Sequence, residues 1–530
     1  MTGRLRRVGA VLGAASVATT AAVAIKAAPA ASAGVPTITW TPCHRGLYCA
    51  RYQVPLDYAD PNGVQISIAL VKRPARDPAH RIGSLFVNPG GPGGSGVDFV
   101  VQEGSSLFTP AVRARFDIIG FDPRGIYRSS PLRCFSTADD AYASVHRTPY
   151  PDSAVRRAKW IARDRTLQSA CVQDGSAILD HMSTAEVARD LDRLRQAVGD
   201  QRLSYYGVSY GSFLGDTYAN MFPGRVRSVV IDGVIDPVAW TTGRSARVTL
   251  PFSTRLHSAS GAGKTLHEFF RLCDAGGSRC AFGPHAAANY WKLYRKLRAH
   301  PLHIRGMAIP YDQTFLVGDT LGAMYSSADW PGFARYLVSL ERRTKANVPA
   351  RERSAVRGYY LNDVEGFPGV ACTDSVNPRS ATAWTRAAAV ARREDGIFGP
   401  AWTWSTSMCA HWPGHDQDRY LGPFTHHTVN PVLVVGNRFD PATPYPGAVT
   451  AARLLPNSRL LTVRAWGHTS LFLSTCADNA IGHYLLTSRP PARGTVCRQD
   501  FVPFGKSPSQ SVASFAGGST SPSRFPIWSS

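Results

Sequence analysis

One pentapeptide in this chain has the residue types and spacing that nucleophilic acyl transfer needs. Gly207-Val208-Ser209-Tyr210-Gly211 is a G-x-S-x-G motif, with a β-rich run (203–208) before it and a helix-like run (213–219) after it. A serine on a tight strand-to-helix turn projects its Oγ above the sheet edge. Small residues two before and two after it are needed because the turn brings the helix backbone close. The same turn aims the first free N–H groups of the helix at the point where a carbonyl oxygen would acquire charge. The competing reading is a Gly-rich turn whose serine only caps the helix.

A serine hydroxyl at its normal acidity needs a base, and that base must be held in one tautomer. Both partners belong in loops after later strands. Asp440 follows the apolar run 431–437, in Arg438-Phe-Asp-Pro-Ala-Thr-Pro444. His468 follows the run 460–464, in Trp466-Gly-His-Thr-Ser470. The order Ser209, Asp440, His468 is the one an α/β-hydrolase sheet uses. Asp440 as a helix cap near Thr443, and His468 as an ordinary loop histidine, are the plain alternatives. Asp232, at the end of the run 226–231, is the second choice for the acid. An oxyanion donor is expected in Pro89-Gly-Gly-Pro-Gly-Gly-Ser-Gly96, which follows the apolar run 84–88. Gly91 is preferred there and Gly90 is its nearest rival; a flexible surface loop is the bland reading. No Gly-Lys-Ser/Thr follows, and prolines break the dinucleotide register, so a phosphate-binding or dinucleotide loop is excluded.

The elements that must hold these residues alternate. β-prone runs at 52–56 and 64–71 flank an Asp-Pro-Asn-Gly turn. Buried strands follow at 84–88, 116–121, 203–208, 226–231, 431–437 and 460–464, apolar at nearly every position as in a parallel sheet. Ser183 and Glu186 form a capping box for a helix to Val198, with Val187, Leu191, Leu194 and Val198 on one face. Strand, helix, strand and helix in close succession imply right-handed crossovers. Asp122 and Arg124, in Asp122-Pro-Arg-Gly125, are read as a structural ion pair with their surroundings. Residues 139–170 read as a helical excursion. Between 238 and 425 the buried strands stop, and helical stretches at 266–273, 289–297, 330–343 and 382–393 suggest a cap over the catalytic edge. A late helix is expected at 475–486. The expected divisions are a leader (1–33), a first core part (34–237), a cap insertion (238–425), a second core part (426–504) and a Ser/Pro/Gly-rich tail (505–530).

The chain has 530 residues, 44% of them hydrophobic, and a net charge of +22. Its basic residues are scattered and no basic helix is interleaved with aromatics, which argues against a nucleic-acid partner. Residues 1–33 read as a secretory signal: Arg4, Arg6 and Arg7, an apolar run (8–25), and Ala31-Ser32-Ala33 as cleavage site. Removing its four basic residues takes the formal charge from +22 to +18. No later run is long and apolar enough to span a bilayer, so no integral membrane contact is expected. All ten cysteines lie beyond the signal. In an oxidising compartment an even number favours disulfides, and proximity suggests Cys43–Cys49, Cys134–Cys171, Cys273–Cys280, Cys372–Cys409 and Cys476–Cys497. No metal or other cofactor is expected, and the chain is expected to be a monomer.

Residues 88–96, Phe-Asp-Pro-Arg-Gly (121–125), Gly-Val-Ser-Tyr-Gly (207–211), Asp-Pro-Ala-Thr-Pro (440–444) and Gly-His (467–468), in this order, resemble the secreted tripeptidyl aminopeptidases of Streptomyces. Those are α/β-hydrolases related to proline iminopeptidases, with a C-terminal part that is a recognised module. The resemblance implies Ser209 as nucleophile, Asp440 and His468 as its partners, oxyanion donors at Tyr210 and in the Gly90–Gly91 pair, and release of tripeptides from free N-termini. It departs at Tyr127, where a second glycine is expected. An exopeptidase must also grip the substrate's α-ammonium at a fixed distance from the nucleophile. The segment 362–374, read as a loop tied down by Cys372, offers Asp363, Glu365 and Asp374; solvated loop acids are the alternative. A secreted esterase or amidase with the same three residues is the runner-up function.

Overall fold

The computed structural model describes residues 36–304, 307–342 and 360–505. The expected leader, its cleavage site and nearly all of the tail lie outside the described residues. Ten strands form one sheet: β1 (Thr41–His44), β2 (Leu47–Pro55), β3 (Gln65–Arg73), β4 (Gly83–Asn88), β5 (Phe116–Phe121), β6 (Leu203–Val208), β7 (Val226–Asp232), β8 (Val432–Phe439), β9 (Ser458–Trp466) and β10 (Val496–Arg498). Their order is β1-β2-β3-β5-β4-β6-β7-β8-β9-β10. The β1–β2, β2–β3 and β3–β5 pairs are antiparallel. Every pair from β5 to β10 is parallel. The short edge strands β1 and β10 carry too few residues for a periodic signal and were not foreseen.

The apolar runs are continuous for the expected reason. β4 and β6 are buried at every position because helices cover both faces. On one face Leu85, Val87, Ile118, Tyr206, Val230, Leu433 and Val463 pack with Val97, Val100 and Ile481 from the helices Gly96–Glu103 and Thr475–Thr487. The other face carries the helices Thr184–Ala197 and Tyr210–Met221, which pack on one another. Ser183 caps the first of these, accepting from Glu186 N–H as the capping box requires. The chain moves from β4 outward to β5, then back across to β6. The reversal opens a crevice at the C-terminal ends of β4 and β6, the place where open α/β sheets bind ligands.

Between β7 and β8 the chain is helical, with Ser258–Gly276, Ala286–Ala299, Gln313–Met324, Trp330–Arg342 and Ala381–Asp395 as its longer members. The architecture is an α/β-hydrolase fold with a helical cap. The supposed loop at 362–374 is the helix Asp363–Asp374, with Pro368 inside it. Gly366, Pro368 and Gly369 lower its intrinsic propensity, and burial on nearly all sides removes the amphipathic signal.

All five expected disulfides form, and no cysteine among the described residues is free. Arg124 and Asp122 do not pair with each other. Fully buried Arg124 forks onto Asp190 at 2.6 and 2.7 Å and reaches Glu186 at 2.9 Å. Asp122 accepts from Ser95 Oγ, Val97 N–H and Arg128. The two side chains leave the Asp122–Gly125 turn in different directions, so each finds its counter-charge on another element.

Candidate active site

Ser209 sits between β6 and its helix with φ 58° and ψ −123°, a strained backbone for a residue with a Cβ. Its N–H donates to Asp232 O at 2.9 Å, and Ser212 folds back onto its carbonyl. The glycines flanking it serve close approach: a Cβ on Gly207 would lie 2.2 Å from Gly211 O, and one on Gly211 would lie 2.8 Å from Asn88 O. The loop after β4 is pressed against this elbow. At Gly90 (φ 88°) a Cβ would lie 2.5 Å from Val208 O, 2.9 Å from Ser209 Cβ and 3.0 Å from Tyr210 N. Gly90 N–H is committed to Asn88 Oδ1 at 2.9 Å. Gly91 N–H has no such partner among the described residues.

His468 leaves β9 at Gly467, and its Nδ1 meets both oxygens of Asp440, at 2.9 and 3.0 Å. The carboxylate is itself held by N–H groups of Ala442, Thr443 and Thr469 and by Thr443 Oγ1. Asp440 therefore both accepts from the turn at 440–443 and meets the imidazole. On the far side of the ring, Nε2 is buried and has no hydrogen-bond partner among the described residues. Cε1 lies 3.3 Å from where a Cβ on Gly233 would stand, directly after the residue whose carbonyl receives Ser209 N–H. Ser209 and His468 are thus brought to the same stretch, Asp232–Gly233.

Asp232 does not contact the imidazole. Its carboxylate accepts from Ser470 N–H and Oγ and from Tyr206 OH, and burial pushes its pKa up to about 6. It is a bracket: its main chain holds Ser209 and its side chain holds the loop after His468. The cap contributes a second bracket that motif reading missed. Tyr325 O accepts from His468 N–H at 2.9 Å, and its ring meets the imidazole edge-on at 5.1 Å. Tyr325 follows the helix Gln313–Met324 by one residue and belongs to no motif, so only the fold could reveal it.

The three cap acids share the helix Asp363–Asp374 but do not meet. At about 1.5 Å per residue, Asp374 stands about 16 Å along the axis from Asp363. Both oxygens of Asp374 are occupied, by Thr184 N–H and Oγ1 and by Trp240 Nε1. Thr184 Oγ1 in turn meets Tyr210 OH at 2.5 Å, so Asp374 braces the residue after Ser209 from beneath; burial raises its pKa to about 7. Asp363 accepts from Tyr127 OH and Tyr142 OH. Glu365 is fully buried. One of its oxygens receives Tyr360 OH and Cys134 N–H, and Oε2 has no partner among the described residues. Burial raises both carboxyls above the usual range. The first turn of this helix touches the loop after β4, where a Cβ on Gly93 would lie 3.2 Å from Phe367 N. Tyr127, the departure from the glycine pattern, has φ 47°, the left-handed backbone that glycine favours. Its N–H donates to Asn362 Oδ1 at 2.9 Å, and this bond with the Asp363 contact ties the turn to the cap.

Residues 395–497 match the family described as TAP-like protein. The chain is 30% identical over 499 residues to a tripeptidyl aminopeptidase of Streptomyces lividans, covering 91% of this chain and 89% of that one. It is 31% identical over 501 residues to carboxylesterase B of Mycobacterium tuberculosis, covering 88% and 91%. A serine protease of the same species is 30% identical over 503 residues, covering 87% and 91%. These names agree on hydrolysis and differ on the bond attacked. The chain belongs to the α/β-hydrolase family that includes these Streptomyces and Mycobacterium enzymes, and it is an enzyme of serine-hydrolase type.

Proposed function

We propose that this protein is a secreted exopeptidase that releases tripeptides from free N-termini through an acyl-enzyme on Ser209. The observation that carries the chemistry is the imidazole of His468, fixed by Asp440 at Nδ1 and buried without a partner among the described residues at Nε2 beside the Ser209 elbow. Ser209 Oγ attacks the carbonyl carbon and His468 Nε2 takes its proton. Asp440 stabilises the imidazolium without itself being protonated. The N–H groups of Tyr210 and Gly91 receive the oxyanion; losing one such donor typically costs about 3 kcal/mol. His468 then gives its proton to the leaving amine, and water attacks the ester to free the tripeptide and Ser209.

What favours a peptide over a simple ester is Glu365, a buried carboxylate with one unpaired oxygen on the helix that touches the Gly93 loop. An ammonium would supply the missing donor. An extended tripeptide spans about 10 Å, the separation that counting three residues demands. Asp374, its oxygens already occupied, acts here by bracing Tyr210. The five disulfides suit an oxidising, extracytoplasmic setting, and among the described residues no helix is long and apolar enough to cross a membrane.

The test is hydrolysis of a chromogenic tripeptide amide against its N-acetylated form, with Ser209→Ala as control. Cleavage of the free-amine substrate alone, with KM raised at least tenfold in Glu365→Gln, is the expected result. Equal cleavage of both forms, or activity on simple esters only, would make this a secreted esterase or amidase like the Mycobacterium carboxylesterase.

A further inference from the structure

The edge of the sheet opposite Ser209 carries a cleft with unbalanced positive charge. Strands β4, β5 and β6 all run from this edge to the catalytic one. Arg73, at the end of β3, pairs with Ile118 near the start of β5. Ile118 in its wall is three residues, about 10 Å, short of the catalytic end of β5, and Arg113 precedes the start of that strand. Its volume is about 310 Å³, and Arg73, Arg76, Arg113, Tyr48, Pro74 and Ile118 line it.

No carboxylate pairs with any of the three arginines among the described residues. Asp77 is engaged by His80, and Asp117 by Arg81 and Ala75 N–H. The undescribed segments contain a single acidic side chain, Glu352. Arg73 Nε and Arg113 Nε are buried without a hydrogen-bond partner, although Arg113 Nη1 donates to the carbonyls of Ser106, Leu107 and Phe108. Burial first, and then the neighbouring Arg76, pulls both guanidiniums below the usual arginine range; Arg73 adds its own repulsion at Arg113. Three like charges gathered in a concavity cost free energy that a bound anion recovers. Guanidinium forks match tetrahedral oxyanions in geometry as well as charge.

We propose that the Arg73–Arg76–Arg113 cleft binds a phosphoryl dianion, as free phosphate or as a small phosphate monoester. At about 30 Å³ per water, the space equals about ten waters. That is more than one tetrahedral ion fills, and the surplus lies against Tyr48, Pro74 and Ile118, which suits an organic substituent.

The experiment is calorimetric titration of the full chain at constant ionic strength with inorganic phosphate, with phenyl phosphate and with the monoanion methanesulfonate. Arg76→Gln is the variant: Arg76 is exposed and its side chain makes no hydrogen bond among the described residues, so its hydrolytic rate should match the parent and its Tm should equal or exceed it as one like charge is relieved. Saturable one-to-one binding of a phosphate, weakened tenfold or more by Arg76→Gln and absent with methanesulfonate, is expected. Tighter binding of phenyl phosphate identifies an ester as the ligand, and equal binding identifies the free ion. No saturable heat with either phosphate, or equal affinity in the variant, overturns the proposal.

Discussion

Asp232 and Asp440 both lie at strand ends near Ser209, and exchanging each for asparagine separates orientation of the His468 imidazole from support of its loop. Asp440 is on the imidazole, at 2.9 and 3.0 Å from Nδ1. Asparagine there presents an amide to Nδ1, favours the wrong tautomer and removes the charge opposite the imidazolium. Loss of about 10⁴ in kcat, equivalent to about 5 kcal/mol, is the scale for that change. Asp232 instead receives Ser470 N–H, Ser470 Oγ and Tyr206 OH. Its asparagine keeps one acceptor for the Ser470 N–H, and the two hydroxyls can rotate to accept from the new amide. The cost is then one or two weakened bonds, about 1–2 kcal/mol of stability. A shift of the histidine loop by under 1 Å costs at most about 10² in rate. The assay is kcat on an activated ester, which does not depend on the proposed peptide specificity, paired with urea unfolding. The expected ordering is Asp440→Asn far slower and Asp232→Asn only modestly slower; both lose stability, Asp440→Asn because its amide must face a backbone N–H of Ala442, Thr443 or Thr469. A 10⁴ loss in Asp232→Asn with stability intact would refute the reasoning and make Asp232 the functional acid.

Gly90→Ala should lower kcat by 10² or more and reduce Tm, because its Cβ would stand 2.5 Å from Val208 O and 3.0 Å from Tyr210 N at φ 88°; thermal melts and ester turnover check both. Arg124→Met should cost about 3–5 kcal/mol in urea unfolding, since it leaves Asp190 buried without its cation and Glu186 with Arg189 alone. Asp216, fully buried with Oδ2 unpartnered among the described residues, has its pKa raised by burial to about 8. Its folded value lies above the unfolded one, so its contribution to stability is full below about pH 4 and is lost as pH rises through about 8. Asp216→Asn should remove that slope, raising stability by about 5 kcal/mol at pH 9 relative to the parent, about four pKa units' worth, and changing little at pH 4; melts at the two pH values decide it.

Local chemistry was enough to single out Ser209, Asp440 and His468 and the strands beneath them. G-x-S-x-G needs only neighbours in sequence to make its turn, and runs such as 84–88 and 203–208 are apolar throughout because both faces are covered. The five cysteine pairs were equally legible, since each closes a loop of fewer than forty residues. Other features depend on residues far apart in the chain. That His468 turns to Asp440, with Asp232 left to hold Ser470, follows from how β7, β8 and β9 lie side by side. Helix 363–374 forms despite Gly366, Pro368 and Gly369 because tertiary burial outweighs intrinsic propensity. Its acids share a helix and yet stand apart, a consequence of the 1.5 Å rise that a loop reading could not contain. Tyr325 over the imidazole and the arginines gathered at the opposite edge come from segments with no local signature. A sequence motif records what a short stretch of chain can do alone, whereas these contacts exist only because the folded sheet and its cap bring distant backbone together.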